Sequence, residues 1–208
     1  MIDNICMFLT KKIRKEMPEI DDERAEVINY GLQNLIGEFP KIFIVIGMAC
    51  VLGILKETLL SILIIMPYRI FSGGFHLKTH IGCIIGTTLF YCGTAFISKY
   101  IILGQIIKYV VIVVAWIFGM IMIRKYAPAD TENVPILRKK DRRQKQILSY
   151  ITLSIALICA LFIPYNNISN IIIFGYLIQS ITITRLAYRL TKNQYGYEVY
   201  NNTSNESV

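Results

Sequence analysis

The sequence predicts an all-α, polytopic membrane bundle of about six membrane segments, the first two short, preceded by amphipathic helices. Three observations predict it. Apolar residues make up 54% of the chain and charged residues only 17%, with a mean hydropathy of +0.51. Apolar runs recur that approach or exceed what is needed to cross a hydrocarbon core of roughly 30 Å. Basic residues gather where those runs end, as expected of membrane topology. Backbone groups in lipid must be satisfied within a helix or a closed barrel, and the polar/apolar alternation of a barrel is absent.

Residues 1–40 are polar to amphipathic. Ile2, Ile5, Cys6, Leu9 and Ile13 recur at helical spacing beside Lys11, Lys12, Arg14 and Lys15, which predicts a helix lying in the membrane interface. Pro18 interrupts it. A second amphipathic helix starts in EIDDERAE, with Asp21 or Asp22 as cap, and is expected to run to about Phe39 before Pro40. The opening MIDNICMFLTKKIRKE does not read as a secretory signal, because its basic residues follow a very short apolar patch.

The apolar segments come next, in a membrane domain expected over residues 41–191. They cover about Ile42 to Leu55, Thr58 to Ile70, Ile81 to Ile97, Ile101 to Ile123, Ile147 to Ile163 and Ile168 to Tyr188. The first two fall short of the roughly twenty residues of a perpendicular span. They suit a short hairpin with snorkelling flanks, or a re-entrant pair. Residues 192–208 are polar and are expected to form a flexible tail.

The charges assign sides. Arg124, Lys125, Arg138, Lys139, Lys140, Arg142, Arg143 and Lys145 crowd residues 124–146, so that loop is expected to be cytoplasmic. The uncharged YNNISN then lies outside, and Arg185, Arg189 and Lys192 return the chain inside. Counting back places the stretch around His76 and the N-terminal region inside as well. A cell-membrane protein with both termini cytoplasmic satisfies every loop. The net charge of +8 is thereby accounted for by topology and contact with anionic lipid, and no aromatic-interleaved basic surface favours nucleic acid. The five cysteines have neither paired nor metal-type spacing, so no metal or cofactor is expected.

One stretch does not fit a passive bundle. RIFSGGFHLKTHIGC, residues 69–83, holds both histidines of the chain, His76 and His80, an arginine, a Gly-Gly pair and Cys83. A cysteine at the mouth of a membrane helix is more often packing than chemistry, and Arg69 alone would be a positive-inside anchor. The conjunction suggests a cysteine nucleophile, since an imidazole is the usual partner that takes a thiol proton. His80 lies three residues before Cys83 and would share its face on a regular helix. His76 lies seven before, a rise of about 10.5 Å on a continuous helix, and can serve only if the chain bends. Spacing alone slightly prefers His80. Arg69 could hold a carboxylate or an oxyanion, and the amides of Gly73 and Gly74 could point at the same oxyanion.

GGFHLKTHIGC, read as G-[GA]-x-H followed by a cysteine, resembles the accessory gene regulator B (AgrB) family of quorum-sensing peptide processors. KYAPADTENVPILRKKDRRQKQ, residues 125–146, is similar to that family's cytoplasmic loop, and the resemblance covers nearly the whole chain. It implies a membrane cysteine endopeptidase acting on an AgrD-like precursor with an amphipathic leader, a core and an acidic tail. It implies Cys83 as nucleophile and His76, not His80, as catalytic histidine, which requires a non-helical break between Phe75 and about Ile81. Arg69, Gly73 and Gly74 are implied as supporting residues, Lys139 and Lys140 as processing residues of the basic loop, and a homodimer as the assembly. Ser72, Glu38 and Asp130 are each conceivable partners for His76. Two other classes compete: a carrier or channel, for which only Lys108 and Lys56-Glu57 offer charge within the segments, and an acyltransferase relaying through Cys83.

Overall fold

The computed structural model describes residues 2–17, 19–77, 79–132 and 135–206; at some helical positions, Glu38 and His80 among them, it describes the backbone alone. Two compact units are distinguished, Met1–Gly47 and Met48–Val208.

In the first unit, α1 (Ile2–Glu16) ends where expected, just ahead of Pro18. α2 (Asp22–Val51) starts beside Asp21, whose carboxylate accepts the Arg24 N–H at 2.8 Å, satisfying an amide that the first turn leaves open. The Thr10 hydroxyl of α1 donates to the side-chain Oδ1 of Asn29 at 3.3 Å. The expected stop before Pro40 is not observed, because α2 carries Pro40 inside it. Proline removes one ladder donor, and a neighbouring turn can absorb that loss.

The second unit holds the membrane-type helices. Among the described residues three are long and apolar enough to cross a bilayer, lying within α4 (His80–Tyr100), α5 (Gln105–Tyr126) and α6 (Lys139–Phe162). Pro40–Val51 is a shorter apolar helix. α3 (Leu55–Ser72, 18 residues) corresponds to the expected second segment and runs beyond it at both ends, whereas α7 (Asn166–Thr182, 17 residues) corresponds to the sixth and stops short of it. The sixth segment does not reach Tyr188. It breaks at Ile183, and α8 (Arg185–Leu190) and α9 (Gly196–Glu206) follow. Tyr195 is buried just ahead of α9. The basic cluster also departs from expectation: residues 139–145 are the first turns of α6 and not loop.

α7 packs against α3, α4, α5 and α6 and is the most enclosed helix of the unit. Small residues let it approach. A Cβ on Gly175 would collide with the Ile65 side chain, the kind of close fit that holds helices together where lipid removes the hydrophobic drive. Tyr68 and Tyr176 stack at 4.8 Å, and each hydroxyl is bonded, Tyr68 with Ser180 at 2.9 Å and Tyr176 to the Ile64 carbonyl at 3.2 Å. Leu63, Leu89, Ile106, Val113 and Ile155 face outward, as lipid-facing residues do.

The helices define two ends. At one, Lys99 donates to Gly53 O at 2.7 Å, Asn170 to Ile101 O at 2.6 Å and Lys108 to Ile163 O at 3.2 Å. At the other, the α3–α4, α5–α6 and post-α7 segments meet.

Candidate active site

α3 ends on glycines because the chain must turn where side chains cannot. Gly73 has φ +73° and Gly74 φ +136°, a region that L-residues rarely occupy. A Cβ on Gly73 would strike the Ala129 carbonyl, and one on Gly74 would strike the Arg69 guanidinium. The room is needed because the α5–α6 loop docks here. Gly73 pairs in parallel with Ala129, Gly74 N–H donates to Ala129 O at 2.9 Å, and Ala129 N–H donates to Ser72 O at 2.8 Å. Gly73 N–H donates to Arg69 O at 3.0 Å. Both glycine amides are thus engaged within the chain.

From Gly73 to Leu77 the chain is non-helical, so its carbonyls need side-chain donors. Three are held in this way. Gln179 Nε2 donates to Gly73 O at 2.7 Å, Arg69 Nη2 to Phe75 O at 2.7 Å, and Asn193 Nδ2 to His76 O at 2.7 Å. Arg69 also donates to Thr182 at 3.0 Å and to Gln179 Oε1 at 3.3 Å. Arg69 therefore secures the His76 segment from below, whatever it does toward a ligand.

The break that the resemblance requires is present. α4 starts at His80, capped by Thr79, whose hydroxyl accepts the Gly82 N–H at 3.1 Å. Cys83 N–H donates to Thr79 O at 2.9 Å, so the thiol stands on the first turn of α4, partly exposed. Leu77, next to His76, folds back on α4. A Cβ on Gly82 would stand 3.4 Å from Leu77 Cβ, and one on Gly86 2.9 Å from its Cδ1. Glycines four apart on one face give Leu77 its seat on α4. His76 is exposed just before this fold-back. The regular-helix premise that favoured His80 covers His80 and Cys83 alone; His76 lies outside the helix.

The docked loop is braced on its far side. Asp130 is buried, and its Oδ2 accepts from Ile136 N–H at 2.9 Å, Arg142 at 3.0 Å and Tyr197 N–H at 3.1 Å. Arg142 also lies 4.3 Å from the centre of the Tyr197 ring. Tyr188 donates to Ala129 O and Asp130 O, both at 3.0 Å, and stacks on Tyr195 at 4.2 Å. Burial raises the pKa of both phenols well above the ordinary value, so they stay protonated donors through neutral and mildly alkaline pH. Of the conceivable partners for His76, Asp130 is thus committed to Arg142. Ser72 is buried and accepts from Gln179 at 2.9 Å, and the Glu38 side chain lies outside the described residues. Lys139 and Lys140 are exposed in the first turn of α6.

Gln179, Thr182 and Asn193 escaped the sequence reading. Gln179 had one signal, a lone amide in the apolar run of the sixth segment, where a polar group needs a partner. Asn193 had none.

Residues 6–183 match the family described as Accessory gene regulator B. A protein of Listeria monocytogenes serovar 1/2a, described as AgrB-like, is 30% identical over 197 residues, covering 90% of this chain and 91% of its own length. An AgrB-like protein 2 of Clostridium perfringens strain 13 is 30% identical over 208 residues, covering 92% and 95%. No solved structure matches the chain.

Proposed function

The chain belongs to the accessory gene regulator B family, and from that premise we propose that it is a membrane cysteine endopeptidase that cleaves and cyclises an AgrD-like precursor. Family membership ties it to the agr quorum-sensing system. The observation that carries the enzymatic reading is the helix break between His76 and Cys83. It puts an exposed imidazole on an irregular segment folded back along the helix that bears the thiol.

In the proposed reaction His76 takes the Cys83 proton, and the thiolate adds to the carbonyl joining core and tail. His76 then returns the proton to the leaving amine as the C–N bond breaks. The tail departs, and the core remains as a thioester on Cys83. A core thiol or hydroxyl next attacks that carbonyl, giving its proton to the now neutral His76, and Cys83 leaves as thiolate, which that proton can restore to the thiol. The new bond is a thiolactone or a lactone. Exchange of one thioester for another is nearly isoenergetic, so cyclisation wins only if attack from within outruns hydrolysis. An oriented internal nucleophile can reach an effective molarity of about 10⁵ M, against water at about 55 M.

The membrane supplies the rest of the reading. Six segments with both termini and the Cys83 end in the cytoplasm would let an amphipathic leader lie in the same interface as the site. Lys139 and Lys140, exposed at the same end, would steer an acidic tail by a salt-sensitive attraction. A homodimer is the assembly expected of the family. Lys108, one of the two charged spots open to a carrier reading, donates to Ile163 O at the end of α6.

The test is direct. Cys83→Ala should abolish release of the precursor tail while the protein accumulates in the membrane at wild-type level. Tail release by that variant would refute the assignment of the nucleophile.

A further inference from the structure

We propose that Asn193, beyond the stretch that matches the family, is a positioning residue that sets the backbone of His76 for the chemistry at Cys83; the inference rests on the endopeptidase reading. The side-chain amide of Asn193 donates to His76 O at 2.7 Å, directly on the carbonyl of the histidine assigned to the chemistry. The other two pinned carbonyls, of Gly73 and Phe75, precede it and are held by Gln179 and Arg69.

The aim of Asn193 is built into the end of α8. Lys192 N–H donates to Arg189 O at 3.1 Å and Asn193 N–H to Tyr188 O at 2.9 Å, the paired bonds of a Schellman cap. That cap needs a left-handed residue, usually glycine, and here Lys192 takes it at φ 55°. A non-glycine side chain held in that region is a local strain kept by its surroundings, and such strain clusters at functional sites. Asn193 follows the strained residue directly. Its amide nitrogen also lies 2.9 Å from Thr191 Oγ1 and 3.3 Å from Thr191 O, which narrows its rotamer. The same C-terminal segment is anchored under the docked loop by Tyr188, by Tyr195 donating to Ile183 O at 2.8 Å, and by Tyr197 N–H on Asp130. A rigid base, a strained turn and one directed amide thus converge on residue 76.

Asn193→Asp tests this with the full-length protein, because it preserves shape and removes the donor. Two readouts are taken: cleavage of purified precursor, and the rate at which iodoacetamide alkylates Cys83, followed by peptide mass spectrometry. The expected result is a kcat reduced about tenfold or more with KM within about twofold. Alkylation of Cys83 should slow, and in a His76→Ala background Asn193→Asp should add no further slowing. Thr191→Val, which keeps the donor but loosens it, should move both readouts the same way by less. An unchanged kcat, or a slowing of alkylation that adds in full to that of His76→Ala, overturns the inference. Cys83→Ala is run alongside. If it is inactive while Asn193→Asp is fully active, only this inference fails; if Cys83→Ala still processes precursor, the endopeptidase reading fails with it.

Discussion

His76 and His80 sit four residues apart, and their backbone states differ completely. His80 is the first residue of α4, whereas His76 belongs to the irregular segment pinned by Arg69 and Asn193. On this account the two differ in function. His76→Ala should lower the rate of tail release by about 10² to 10⁴, the usual worth of a general base. His80→Ala should stay within a few-fold of wild type in the same assay. Equal losses would return the choice to the helical spacing. The sequence showed that a bend was available at Gly73-Gly74, but spacing alone preferred His80, and the Thr79 cap that starts α4 emerges only in the structure. The binding of the turn was not legible. Gln179 and Asn193 come from more than a hundred residues away, and a single sequence carries no signal of such pairings.

At the scale of elements, the α5–α6 loop is what fixes the α3–α4 turn. Ala129 pairs with Gly73, and the loop is held from behind by the Asp130–Arg142 ion pair, in which the Asp130 side chain is fully buried. Removing one partner of such a pair strands the other charge. Arg142→Gln should therefore cost on the order of 3 kcal/mol, a fall in Tm of roughly 6–12 °C for a protein of this size. Asp130→Asn added to it should recover part of the loss, and a thermal melt in detergent measures both. A single variant as stable as wild type would show that the loop docks without the pair. The sequence places Arg142 in a basic cluster, where every residue looks like a topology signal. Only the first turns of α6 separate Arg142, turned in to Asp130, from exposed Lys139 and Lys140. Pro40 misleads in the opposite direction. It reads as a stop, but α2 continues through it, since the cost of one missing bond is small beside the rest of a thirty-residue helix.

The whole molecule depends on sidedness. Hydrogen bonds gather Gly53, Ile101 and Ile163 at one end and the His76–Cys83 region, Ala129 and Asn193 at the other. On the proposed topology the second end faces the cytoplasm. In intact cells a membrane-impermeant maleimide should label a cysteine introduced at exposed Asn167. One introduced at exposed Arg138 should react only after permeabilisation. The reverse pattern would invert the topology and place the site on the wrong face for a cytoplasmic precursor.

The measurement that tests the central claim most directly is the mass of the protein after brief mixing with purified precursor and rapid acid quench. The account predicts an added mass equal to the precursor without its tail, mapped by peptide sequencing to Cys83, absent from Cys83→Ala and strongly reduced in His76→Ala. Tail release with no adduct on Cys83, or an adduct on another residue, would contradict it.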